Sequence, residues 1–133
     1  KENKTLASKI EINLEKKTID MFSIKNKNIP ILYDFLFYNF TIRTLDLSSN
    51  EIEFVSNHTF TGLFGLKDLT MNANKLKTLN EIIYSITISQ IDTLDTLSFT
   101  SNQIESIDLE FSTNFRSLES INLEYNKIKN FDI

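Results

Sequence analysis

An eleven-residue spacing recurs four times in this chain, and that recurrence limits the folds open to it. In Ile42-Arg43-Thr44-Leu45-Asp46-Leu47-Ser48-Ser49-Asn50-Glu51-Ile52, apolar residues hold the first, fourth, sixth and eleventh places and asparagine holds the ninth. The spacing returns as Leu66, Leu69, Met71, Asn74, Leu76, then as Leu94, Leu97, Phe99, Asn102, Ile104, and again as Leu118, Ile121, Leu123, Asn126, Ile128. Four matches in register exceed what composition supplies. Apolar residues two apart bury one side of a short strand. A single such unit cannot bury its own core, so the units must stack, and stability becomes a sum over neighbours.

The spacing resembles the leucine-rich-repeat family, whose signature is LxxLxLxxNxL, and the resemblance covers most of the chain. It implies an α/β-type solenoid: a short curved stack with a parallel concave β-sheet and an irregular or short-helical convex side. In the family the signature asparagine bonds to backbone groups of its own turn and of its neighbour, a structural role that falls here to Asn50, Asn74, Asn102 and Asn126. Phe60-Thr61-Gly62-Leu63 matches the xxxFxxL half of the typical 24-residue class and is similar to secreted or receptor-type animal members, insect-like in phrasing.

The chain divides into an N-terminal cap segment, 1–18, and a repeat domain, 19–133, with repeats 19–41, 42–65, 66–93, 94–117 and 118–133. In the cap, Ile10, Ile12 and Leu14 alternate with polar residues at strand period, while residues 1–8 read equally as a frayed terminus. Repeat 19–41 is degenerate. Ile19, Phe22, Ile24 and Ile29 hold the apolar places, but Lys27 stands where asparagine belongs. Lysine donates and cannot accept, so the asparagine ladder is expected to loosen there. Leu32, Leu36 and Phe40 are expected behind the strand. Tyr33, Phe35, Phe37 and Tyr38 exceed what one repeat needs, either as added convex packing or as an exposed patch. Repeat 66–93 is longer, and Ile82, Ile83, Ile86 and Ile88 around Tyr84 suit a short helix or an extended convex segment. Ile107, Phe111 and Phe115 are expected behind the strand of the next.

Composition narrows function. The 133 residues fit one domain, and 41% hydrophobic content supports a continuous core. A net charge of -4 with mixed signs argues against a nucleic-acid surface. No stretch is apolar for the roughly 18 residues of a membrane span. There is no cysteine, which removes disulfides, thiolate zinc sites and cysteine nucleophiles. It weakly favours a reducing compartment. The first residue, Lys1, suits a mature product after signal cleavage or a trimmed piece. One histidine, His58, excludes two-histidine metal sites and is expected as an exposed loop residue. Two glycines cannot build phosphate-cradling loops. The expectation is a non-catalytic protein without cofactor or metal.

Residues between the buried places face the concave side. The middle column is Ser23, Asp46, Thr70, Ser98 and Asn122. Met21, Thr44, Asp68, Thr96 and Ser120 form one flank; Lys25, Ser48, Asn72, Thr100 and Glu124 form the other. By resemblance this face binds a protein or peptide, and Arg43 and Tyr125 are its expected anchors. The function implied is extracellular recognition of immune or adhesion type. The alternatives are a self-assembling structural protein and an intracellular adaptor regulating an enzyme. The last strand would present an unpaired edge. A longer protein, a folded-back tail from Lys127 to Ile133, or a homodimer through Tyr125, Phe131 and Ile133 would each explain it. Asn3, Asn39 and Asn57 open N-glycosylation sequons; the number is near chance for this composition. Asn39 and Asn57 lie off the concave face. Together with the xxxFxxL half they favour an extracellular location over a cytoplasmic one.

Overall fold

The computed structural model describes residues 18–87, 92–108 and 115–131, with residues 130 and 131 described through their backbone alone. The cap strand of Ile10, Ile12 and Leu14, the sequon at Asn3, and Ile88, Phe111 and Ile133 lie outside the described residues.

Among the described residues ten elements follow one another: β1 (Thr18–Ser23), β2 (Ile31–Leu32), β3 (Thr41–Asp46), β4 (Phe54–Val55), β5 (Asp68–Thr70), α1 (Asn80–Thr87), β6 (Thr96–Ser98), β7 (Ser106–Ile107), β8 (Ser120–Asn122) and β9 (Asn130–Phe131). The main sheet has the order β1-β3-β5-β6-β8, parallel throughout. Four windings join its five strands. This is the short leucine-rich-repeat type of solenoid that the spacing predicts. Leu45, Leu69 and Leu97 pair in register and are buried to 1% exposure or less. The ladder runs on past the strands, with Leu47 N donating to Thr70 O at 2.8 Å, Met71 N to Ser98 O at 2.8 Å and Phe99 N to Asn122 O at 2.9 Å.

The asparagines lock each turn to the one before it. Asn102 Nδ2 donates to Phe99 O in its own turn at 3.1 Å and to Met71 O in the preceding winding at 3.0 Å. Its Oδ1 accepts from Leu76 N at 3.0 Å. Buried backbone groups that the strands leave over are thereby paired. The loosening expected at Lys27 does not leave that turn open. Lys27 offers its backbone amide to Asn50 Oδ1 at 2.9 Å, and Asn50 Nδ2 reaches Ile24 O at 2.9 Å. Asn50 thus ties this turn to the next as Asn74 and Asn102 tie theirs, with or without an asparagine at 27. The residue before each asparagine is left-handed: Ser49, Ala73, Ser101 and Tyr125 have φ of 56°, 54°, 56° and 58°.

The outer side is discontinuous. β2 pairs with β4 and β7 with β9, while α1 occupies the winding between them. The longer repeat has room for this helix, and Ile82, Ile83 and Ile86 turn one apolar stripe inward. Ser85, fully buried in the same helix, accepts from Phe60 N at 2.7 Å.

Of the four aromatics in excess, Phe37 enters the core. It is fully buried and stacks on Phe60 with centroids 5.9 Å apart and planes 3° from parallel. Leu36, expected there, is only partly buried at the core's edge. Tyr33, Phe35 and Tyr38 are each more than half exposed. At the other end, Leu118, Ile121, Leu123 and Ile128 are partly buried. Their counterparts Leu66, Leu69, Met71 and Leu76 are 0–2% exposed.

Candidate interaction surfaces

The sheet register assembles the columns read from the sequence. Ser23, Asp46, Thr70, Ser98 and Asn122 stand side by side, as do Met21, Thr44, Asp68, Thr96 and Ser120. Their polar groups bond to one another across strands. Thr44 Oγ1 donates to Asp68 Oδ2 at 3.2 Å and Thr96 Oγ1 to Asp68 Oδ1 at 2.6 Å. Asn72 Oδ1 accepts from Ser98 Oγ and from Thr100 N, both at 2.8 Å, and Ser48 Oγ accepts from Asn72 N at 3.0 Å. Asn122 Oδ1 takes Glu124 N at 3.0 Å.

Asp46 is the most enclosed acid of this face, 8% exposed. Burial pushes its carboxyl up. The hydrogen bond from Lys25 at 2.7 Å, the Ser48 side chain and the Ser48 amide at 3.0 Å push it down and prevail, so Asp46 titrates below the usual carboxylate range. A face bonded within itself has fewer groups to offer a partner.

The two expected anchors are not together. Arg43 lies on β3 with its side chain 63% exposed and a guanidinium nitrogen 3.9 Å from Asp20 Oδ1. Tyr125 follows β8, three strand spacings away, or about 14 Å. It is 80% exposed, the most of any large hydrophobic side chain described. It also holds the left-handed position that serine or alanine holds in the three windings before. A bulky side chain there is a conformational outlier.

A second surface lies on the outer side. Phe35 and His58 stack with centroids 5.7 Å apart and planes 11° from parallel. Tyr38 meets Phe35 edge-on at 6.2 Å, and Tyr84 of α1 meets His58 edge-on at 6.3 Å. His58 is therefore half-buried in an aromatic cluster, not the freely exposed loop residue expected. Gly62 lets the cluster form. Its φ is +82°, and a Cβ there would come within 2.3 Å of the Tyr38 ring. The sequence held a signal for this: an offset of 23 residues aligns Phe37 with Phe60, Phe35 with His58 and Asn39 with Gly62, as the bonds from Phe35 N to His58 O and from Asn39 N to Gly62 O show.

Between β4 and the start of α1 runs a groove of about 330 Å³, floored by Val55, Leu76 and Ile82. Among the described residues no group of three or more His, Asp or Glu side chains could hold a metal ion, and no helix is long and apolar enough to cross a membrane.

A family model described as leucine rich repeat matches residues 40–83. The match supports a leucine-rich-repeat family, and the same register extends on both sides of the matched segment. That family is in general a non-catalytic scaffold for protein–protein interaction. No curated protein matches the chain.

Proposed function

We propose that this chain is an extracellular recognition module that binds a protein or peptide at the C-terminal end of its open sheet face. The observation that carries the reading is Tyr125. A ring held 80% in solvent, on a backbone conformation that disfavours it, gains nothing for the fold. Aromatic side chains of this kind dominate binding energy when a partner buries them. The self-bonded columns running from Asp68 and Asn72 towards β8 supply a preorganised floor, and Asn122 and Glu124 supply the polar rim. Sequons at Asn39 and Asn57, both exposed and away from this face, support an extracellular place. The test is affinity capture of a partner from secreted protein, repeated with Tyr125→Ser and with Asp68→Ala and Ser98→Ala. Binding that survives all three substitutions removes this reading.

The only partly buried Leu118, Ile121, Leu123 and Ile128 favour a second reading, association of two copies through that end, with Tyr125 in the contact. Phe131 takes part in β9 through its backbone. Molar mass by light scattering across a concentration series separates the readings: a stable dimer assigns the end to self-association, a monomer returns it to a different partner.

A further inference from the structure

The outer aromatic cluster is an apolar patch with rings exposed on neighbouring windings: Phe35 51%, Tyr38 62% and Tyr84 53%. Such a patch in solvent calls for an occupant. The winding register shows what flanks it. Asn57 immediately precedes His58, whose carbonyl takes the Phe35 amide at 2.9 Å; Asn39 immediately follows Tyr38 and donates its own amide to Gly62 O at 2.8 Å. Along these two stacked turns the order is Asn57, the Phe35–His58 stack, Tyr38, Asn39. The two sequon asparagines bracket the rings, and both are exposed.

We infer that N-linked glycans at Asn39 and Asn57 cover this cluster, their first sugars resting on the rings of Phe35 and Tyr38; the inference rests on the extracellular reading above. The C–H face of a pyranose complements the negative face of an aromatic ring. In the attachment step the asparagine amide nitrogen bonds to the anomeric carbon of an oligosaccharide carried on a lipid diphosphate. The bond from that carbon to the diphosphate breaks, the diphosphate leaves with the electron pair, and the amide proton passes to base. Thr59, the hydroxyl residue of the second sequon, is fully buried and donates to Leu32 O at 3.0 Å. Its hydroxyl is open to a transferase only before this turn folds, so attachment at Asn57 precedes folding, and the folded chain is no substrate there.

The test compares the full chain secreted from insect cells with the same chain made in bacteria. Peptide mapping after enzymatic deglycosylation in heavy-oxygen water reads occupancy. Both sites are expected to be occupied, with a Tm about 2–4 °C above the bacterial chain, and trimming each glycan to a single sugar should keep the gain. Phe35→Asn with Tyr38→Ser should abolish the gain while occupancy stays full. Asparagine suits the φ of 56° at Phe35, which protects the variant's fold. Asn39→Gly, matching Gly62 in the next winding, should remove part of the gain. Empty sites in the secreted chain overturn the inference, and so does a gain untouched by the aromatic substitutions. The extracellular reading stands or falls separately, on whether the native protein fractionates with secreted or cytosolic material.

Discussion

Asn74 closes a turn that is not its own: its Oδ1 accepts the amide of Ile52, in the preceding winding, at 3.0 Å. Its Nδ2 donates to Leu47 O at 3.1 Å and to Met71 O at 3.2 Å. Replacing it with leucine leaves buried groups of two windings unpaired. Asn74→Leu should cost about 1–3 kcal/mol in urea unfolding. Asn126 makes the same bonds in a half-exposed setting that water reaches. Asn126→Leu should cost clearly less; equal losses would contradict the burial argument.

Gly62→Ala should destabilise by about 1–3 kcal/mol, since the added carbon meets both a positive φ and the Tyr38 ring. The double variant with Tyr38→Ser relieves only the collision. It should recover part of the loss in thermal unfolding, and full recovery would show that the backbone conformation carries no cost.

Tyr125→Gly separates folding from binding. Glycine suits a φ of 58°, so stability should rise by about 1 kcal/mol. Affinity for a captured partner should fall about tenfold or more, which is about 1.4 kcal/mol. A variant that gains stability and binds unchanged excludes Tyr125 as the anchor.

Acid should act partly through Asp46. Its folded-state pKa lies below the ordinary 3.8, so ionised Asp46 contributes stability above that value, and the contribution fades as pH falls through the lower folded pKa. Lys25→Met removes a main opposing partner and leaves the upward push of burial. Asp46 should then titrate higher by carboxyl NMR, and acid unfolding should begin at higher pH. Asp46→Asn should abolish the difference between the Lys25 backgrounds.

The sheet was legible because two signals agreed: a period of two along each strand and a repeat that returned Leu45, Leu69, Leu97 and Ile121 to one register. Side-chain direction followed, and with it the columns of the open face. What those columns do with their polar groups was not legible. Thr44, Asp68 and Thr96 lie 24 and 28 residues apart, and only strand pairing brings their oxygens together. The outer face departs from expectation at Leu36 and His58 because Phe37 takes the core place beside Leu36 and the Phe35 ring covers His58. The period there is 23, carried by Phe37 and Phe60. The left-handed place of Tyr125 was hidden for another reason: serine and alanine at the equivalent places mark no special conformation.

The helix in the middle winding has a mechanical consequence. Its backbone bonds run along the helix, so among the described residues the outer ladder β2–β4 and the outer ladder β7–β9 share no rungs. The solenoid thus has an unbroken spine on one side and a jointed back on the other. Strain applied at the C-terminal end can strip the β7–β9 rungs without loosening those of β2–β4. Amides of the two outer ladders should exchange with solvent as separate islands while the spine opens last.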